Sequence, residues 1–235
     1  SEEGTPQGGP LSPLLSNIML NELDKELERR GHPFVRYADD SMIFCKSKRA
    51  ARRVKESITR FIEGNLYLKV NKEKTVVSYV RGVKYLGYSF YVMKGKCRLT
   101  VHPKSKSKMK LRLKELTNRS NGWGYVKRKQ KLKDYIRGWI GYYHLADMKR
   151  FLLDTDEWLR RRIRMCIWKA WKKPKTKVAN LIKCGIEKYK AWEWGNTRKG
   201  YWRIADSPIL KVAINNDSLR KAGYYTLMGS YLEWH

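Results

Sequence analysis

The chain has 235 residues with 52 Lys and Arg against 22 Asp and Glu, a formal net charge of +30, and is 42% apolar and 12% aromatic. That apolar content excludes a solvated, disordered tail and bounds the chain to one large domain or two smaller ones. A folded protein this basic calls for a polyanion, nucleic acid first and an anionic membrane surface second, while the absence of an 18-residue apolar run or a signal-peptide pattern argues against a bilayer span and secretion.

In chain order, Ser12-Pro13 reads as an N-cap followed by proline at the first helical position, and Leu15, Met19, Leu23 and Leu27 recur every four residues up to Gly31. This predicts a helix of about five turns. Phe34 to Tyr37 and Met42 to Cys45 are short β-prone runs flanking Ala38-Asp39-Asp40-Ser41, which predicts a hairpin with acids at its tip. A second helix is expected from Ser47 to about Gly64, with Ala50, Ala51, Val54, Ile58, Phe61 and Ile62 at helical spacing. Lys69-Val70, Thr75 to Val80, Lys84 to Val92 and Cys97 to Val101 read as strands, with turns at Arg81-Gly82 and Lys94-Gly95. The order predicts an α+β layer, an antiparallel sheet backed by helices.

Pro103 marks a break. Residues 1–103 hold 19 basic and 11 acidic side chains, net +8, whereas residues 104–235 hold 33 and 11, net +22, together with all nine tryptophans. We therefore expect domains at 1–103, 104–174 and 175–235. Residues 104–120 read as an amphipathic helix with Met109, Leu113 and Leu116 inward. Leu132, Ile136, Trp139 and Tyr143 form a second stripe, and Phe151, Leu152, Trp158, Leu159, Ile163, Cys166 and Ile167 a third that ends before Pro174. A three-helix bundle is the simplest packing, its outer faces carrying Lys127, Arg128, Lys129, Lys131, Arg160, Arg161, Arg164, Lys172 and Lys173 as phosphate contacts. Most of the tryptophans are expected in the core. Residues 175–235 form a small basic C-terminal region expected to bind RNA or DNA.

Two segments point to chemistry. Adjacent Asp39 and Asp40 in a tight turn repel each other, and a hard divalent cation such as Mg²⁺ is the strongest compensator for oxygen-only ligands; aspartates also occur in turns for local hydrogen bonding alone. Upstream, Gly4 to Pro13 places two glycines and a glutamine before a helix start, a loop able to cradle a nucleotide or simply an ordinary capped turn.

GTPQGGPLSP followed by Tyr37-Ala38-Asp39-Asp40 resembles the reverse transcriptase palm, with its PQG loop and YxDD signature. Leu66 to Thr75 and Val83 to Phe90 are similar to that family's next block and to its primer-grip hairpin. Tyr135 to Tyr143 and Trp158 to Trp171 resemble the maturase domain X, the thumb of group II intron proteins, so the resemblance covers nearly the whole chain.

The resemblance implies RNA-directed DNA synthesis with two Mg²⁺ ions, Asp39 and Asp40 as metal ligands, and Gln7, Gly8, Gly9, Pro10, Tyr37 and Lys74 about the nucleotide. Tyr85, Leu86 and Gly87 would steady the primer, though a buried strand and a solvated Lys74 need no function. Expected partners are group II intron RNA, an RNA template with DNA primer, a DNA target and dNTPs, in a bacterial cytoplasm or, alternatively, an organellar matrix; the four separated cysteines fit a reducing compartment. A protein serving only as an RNA-binding maturase is the alternative, and a non-specific DNA-binding protein a third. The family's other palm aspartate lies upstream of the PQG loop, so we expect a portion of a longer protein, lacking the fingers and incomplete in its two-metal site. Residues 175–235 lack the pattern of an HNH nuclease, and DNA cleavage is not expected.

Overall fold

The computed structural model describes residues 10–235. Two compact units divide the chain, one ending at Lys96 and the other running from Cys97 to His235.

In the first unit, α1 (Ser12–Arg29) has proline in its opening turn, where a missing N–H costs nothing. Leu11, not Ser12, holds the N-cap position, and no side chain caps it. The hairpin of β1 (Phe34–Tyr37) and β2 (Asp40–Ile43) pairs Phe34 with Ile43 and Tyr37 with Asp40. α2 (Lys48–Asn65) starts at Ser47, whose hydroxyl accepts the Ala50 N–H at 3.1 Å. Leu23 and Leu27 of α1 and Ile58 of α2 are buried, and Phe34 and Ile43 pack against them. The inward face of the hairpin is thus seated on both helices. Arg30 ties the helices together, pairing with Glu26 and donating to Ser57 Oγ at 3.0 Å.

Two expected strands do not form. Residues 67–79 are irregular: Tyr67 has φ +55°, Asn71 Oδ1 accepts the Lys74 N–H, and Lys55 Nζ donates to the Thr75 carbonyl. The β-prone run around Thr75 lacks the partner that a strand needs for its backbone groups. The next strand is β3 (Tyr88–Met93), shorter than expected at its start, and it pairs with β4 (Lys96–Val101) in a second two-stranded sheet. The α+β class stands, with two small sheets in place of one continuous layer.

Beyond the end of β4, whose residues 97–101 open it, the second unit is helical. α3 (Pro103–Leu116), α4 (Tyr125–Tyr143) and α5 (Lys149–Ala170) bury Met109, Leu113 and Leu116, then Leu132, Ile136 and Ile140, then Leu152, Leu159 and Ile163. The α4 stripe runs at i, i+4 and turns Trp139 and Tyr143 to its edge, where their rings meet at 4.6 Å, tilted by 41°. Arg162 of α5 closes the C-terminus of α3, donating to Thr117 Oγ1 at 2.6 Å and to the Lys114 and Thr117 carbonyls. Six shorter helices follow: α6 (Pro174–Lys183), α7 (Lys188–Gly195), α8 (Tyr201–Ile204), α9 (Pro208–Ala213), α10 (Asn216–Lys221) and α11 (Leu227–Leu232). α11 packs on both α4 and α5. The Asp156 carboxylate accepts the Leu227 and Met228 N–H groups that open it, at 2.8 and 2.9 Å.

The tryptophans are not mostly core. Trp168 is buried, Trp192, Trp202 and Trp234 are exposed, and the other five are half-buried. An indole carries one polar edge and a large apolar face, and here several faces are covered by cations instead of core aliphatics: Arg161 over Trp202 at 4.0 Å, Lys199 over Trp194 at 4.9 Å, Arg162 over Trp158 at 5.2 Å.

Candidate functional site

The strand register leaves Ala38 and Asp39 as a two-residue turn, with Asp40 opening β2. Ala38 adopts φ +54°, a left-handed conformation that an L-residue enters at a cost, and non-glycine residues held there cluster at functional turns. Asp39 and Asp40 are both exposed at the tip, and Tyr37 beside them is 65% exposed.

Arg36 holds this turn in place. It alternates with Phe34 on the inward face of β1, where its Nε reaches Asp24 Oδ1 at 2.8 Å and its Nη2 reaches Oδ2 at 2.5 Å. Its Nη1 donates to Asn17 Oδ1 at 2.8 Å and to the Ala38 carbonyl at 3.0 Å. One guanidinium therefore ties α1 to the backbone of the turn, and the Asp24 carboxylate raises its pKa further. Sequence reasoning did not single out Arg36. The available signal was a cation at an inward-facing position of a half-buried strand, which requires an acid on the element beneath it.

A second tight turn lies beside the first. Leu86 at φ +49° and Gly87 at φ +80° sit between Tyr85 and Tyr88, which exchange backbone hydrogen bonds of 3.1 and 2.9 Å. This is the primed geometry of a two-residue hairpin, and glycine at its second position meets the need for positive φ. The Tyr85 hydroxyl donates to the Asp40 carbonyl at 3.5 Å, a long contact. Burial, then the Asp40 charge, pushes the Tyr85 hydroxyl pKa up, so it stays a donor.

The structure thus brings together Tyr37, Asp39, Asp40, Tyr85, Leu86 and Gly87. Pro10 lies in the exposed turn before α1, and Lys74 in an exposed turn of the irregular segment. Gln7, Gly8 and Gly9 lie outside the described residues. Among the described residues no three His, Cys, Asp or Glu side chains converge. Two exposed neighbouring carboxylates nevertheless match what Mg²⁺ takes from a protein that leaves its other positions to water and phosphate oxygens.

The basic residues of the second unit divide. Lys127, Lys131, Lys172 and Lys173 are exposed; Lys129 donates to the Ala222 carbonyl at 2.8 Å, and Arg161 covers Trp202 and pairs with Asp206 at 3.2 Å. Arg128, Arg160 and Arg164 are not on an outer face. They are 4–6% exposed. Arg164 donates to the Ile214 carbonyl at 2.8 Å and Asn216 Oδ1 at 3.0 Å, and Arg128 to the Trp123 carbonyl at 3.1 Å. The face of α5 expected to meet solvent is covered by the following segments; Arg128 and Arg164 take backbone carbonyls as acceptors, whereas Arg160 Nη1 is buried without a hydrogen-bond partner among the described residues. Burial lowers the pKa of Arg160 and Arg164.

Residues 1–90 match the family model for reverse transcriptase (RNA-dependent DNA polymerase), and residues 106–185 match the group II intron maturase-specific domain. In this order the two matches make the chain similar to group II intron-encoded reverse transcriptase/maturases. It is 32% identical to Protein YkfC of Escherichia coli strain K12, over 37% of this chain and 32% of that protein. It is 28% identical to the Group II intron-encoded protein LtrA of Lactococcus lactis subsp. cremoris, over 38% of this chain and 26% of LtrA. A Retron Mx65 reverse transcriptase of Myxococcus xanthus is 37% identical over 30% of this chain and 17% of its own length. The chain thus spans about a third or less of the length of these relatives. Both tight turns lie in the reverse transcriptase match, and α4 to α6 with all but the first three residues of α3 lie in the maturase match. No helix among the described residues is long and apolar enough to cross a membrane.

Proposed function

We propose that the protein to which this chain contributes is an RNA-directed DNA polymerase of a mobile group II intron that also binds its intron RNA to assist splicing and copies it during homing. The observation that carries this reading is the order of two matches on one chain, a reverse transcriptase segment bearing two exposed aspartates on a clamped turn, then a maturase-specific segment. On this reading Asp39 and Asp40 would hold Mg²⁺, which when bound favours ionisation of the primer 3′-hydroxyl and takes up charge on the leaving pyrophosphate. Arg36 holds the Ala38 carbonyl and so fixes where both carboxylates stand. The Tyr85 to Tyr88 turn supports the primer end, while Tyr37 and Pro10 border the nucleotide with Gln7, Gly8, Gly9 and Lys74. Residues 1–103 are then the palm, 104–174 the thumb and 175–235 a nucleic-acid-binding region.

A protein that only binds RNA gains nothing from paired acids facing phosphates, which favours polymerase activity over the maturase-only reading. The test is Asp39→Ala in the full-length parent, followed by Mg²⁺-dependent extension on an RNA template and by intron RNA binding. Loss of extension by at least a hundredfold with RNA affinity within twofold supports the reading. Retained extension overturns the role of Asp39, and extension absent from the wild-type parent leaves the maturase-only protein.

A further inference from the structure

α7 presents two aromatic side chains to water on a helix whose opposite face is locked. Ala191 and Gly195 are buried one turn apart. A Cβ added at Gly195 would stand 2.5 Å from Val178 Cγ2 and 3.3 Å from the Val178 nitrogen, so α7 lies directly on the backbone of α6. On the other side, Tyr189 is 65% exposed and Trp192, three residues on and therefore its neighbour on the helix surface, is 67% exposed. The tryptophans nearby are covered: Lys199 lies over Trp194, Arg161 over Trp202 and Lys177 over Trp168. Among the described residues no ring or cation contact covers the Trp192 indole, and Lys190 stands over the Tyr189 ring at 5.3 Å.

The surroundings of this pair are strongly cationic. Residues 172–203 contain ten Lys and Arg and two acids, Glu187 and Glu193. Glu187 is already paired with Lys190 at 2.9 Å, which holds its carboxyl below the usual range. The maturase match ends at residue 185, before α7 begins. A rigid pair of exposed aromatic faces in a lysine-rich segment, with Glu193 as the one acid on α7 and unpaired among the described residues, has the composition of a base-stacking platform with backbone-tracking cations. Protein interfaces are instead depleted of lysine at their centres.

We infer that Tyr189 and Trp192 of α7 form a stacking platform for unpaired bases of single-stranded nucleic acid, whose phosphates are met by Lys183, Lys188, Lys190 and Lys199. Duplexes hide their base faces and engage only the cations, so the platform selects single strands. This inference rests on the reading that the second unit binds nucleic acid, and it adds the residues and strand state to which that reading does not commit.

The experiment uses the 235-residue chain and fluorescein-labelled rU12, dT12 and a mixed-sequence 12-base-pair duplex, with binding followed by anisotropy at several salt concentrations. Trp192→Ala is expected to weaken rU12 or dT12 binding about tenfold, within the range of stacking on one base, with duplex affinity within twofold and the salt slope unchanged. Trp192→Phe should recover most of the loss, because a phenyl ring keeps a stacking face. The sugar preference follows from whichever of rU12 and dT12 loses more. Equal loss on duplex and single strand, or none on either, overturns the platform. A Trp192→Ala chain that instead changes its sedimentation coefficient assigns the pair to a protein contact and also overturns it. Failure of the wild-type chain to bind any of the three probes overturns the broader reading as well, a result distinct from a null effect of the variant.

Discussion

Ala38 stands where a glycine would relax the backbone, at φ +54° in the turn that carries Asp39. Left-handed backbone costs an alanine about 1 kcal/mol, and glycine returns part of that gain as extra freedom of the unfolded chain. Ala38→Gly should therefore stabilise the first unit by roughly 0.5 kcal/mol, read as a higher urea midpoint. If the held geometry serves the acids, the same change should lower primer extension in the full-length parent. Arg36 is the counterweight. Arg36→Lys removes the planar fork that serves Asp24, Asn17 and Ala38 together, and should cost about 2 kcal/mol in the same melt, because Asp24 keeps a charge with one donor in place of two. A melt unchanged by Arg36→Lys would remove Arg36 from the support of the turn. Residue roles of this kind are only partly legible in sequence. Asp39 and Asp40 announce themselves by adjacency, whereas Arg36 acquires its role from Asp24 and Asn17, 12 and 19 residues away. The burial of Arg128, Arg160 and Arg164 likewise depends on what packs over them.

Elements were legible where their cause is local. Ser47 caps α2 and Pro103 opens α3 as their side-chain chemistry requires, and the periods of the long helices place Met109, Leu113 and Leu116 inside. Strands depend on a distant partner, and Thr75 to Val80 shows the consequence: a β-prone run left as loop up to Tyr79 and as the start of a 3-10 turn at Val80. Two predictions belong to this scale. Glu26 sits between Arg29 and Arg30, whose hydrogen bonds hold its carboxyl down to about 2 against an ordinary 4.5. A carboxyl lowered by folding contributes stability above its ordinary value and loses it as pH falls through the interval to the folded value. The first unit should therefore lose stability between about pH 4.5 and 2, and Glu26→Gln should flatten that part of the pH–stability curve. The second concerns Gly195, where any Cβ meets Val178. Gly195→Ala should pry α7 from α6 at a cost of about 1–3 kcal/mol, seen as faster hydrogen exchange in both helices with α3 to α5 unaffected. Equal exchange throughout would mean that Val178 yields without moving the helix.

At the scale of the whole molecule the net charge of +30 favours a polyanionic partner, and the structure shows which cations are exposed to meet one. Counterion release counts only the charges that neutralise phosphates, with a slope of about 0.7 to 0.9 per contact in log K against log salt. Lys127, Lys131, Lys172 and Lys173 are exposed, whereas Arg128, Arg160 and Arg164 spend their guanidiniums inside the second unit. Changing all four lysines to glutamine should therefore weaken RNA binding and lower the salt slope by up to about 3, with the melting temperature nearly unchanged. Arg164→Met should do the reverse. It leaves the Ile214 carbonyl and Asn216 without their donor, so it should lower the melting temperature while the salt slope stays at the wild-type value. Basic composition alone does not distinguish these arginines from the lysines, since both groups lie in the same charge-rich sequence. The pair of variants separates a surface charge from a buried one by two independent readouts. A fall in slope for Arg164→Met would place that guanidinium against phosphate and require α5 to open when RNA binds.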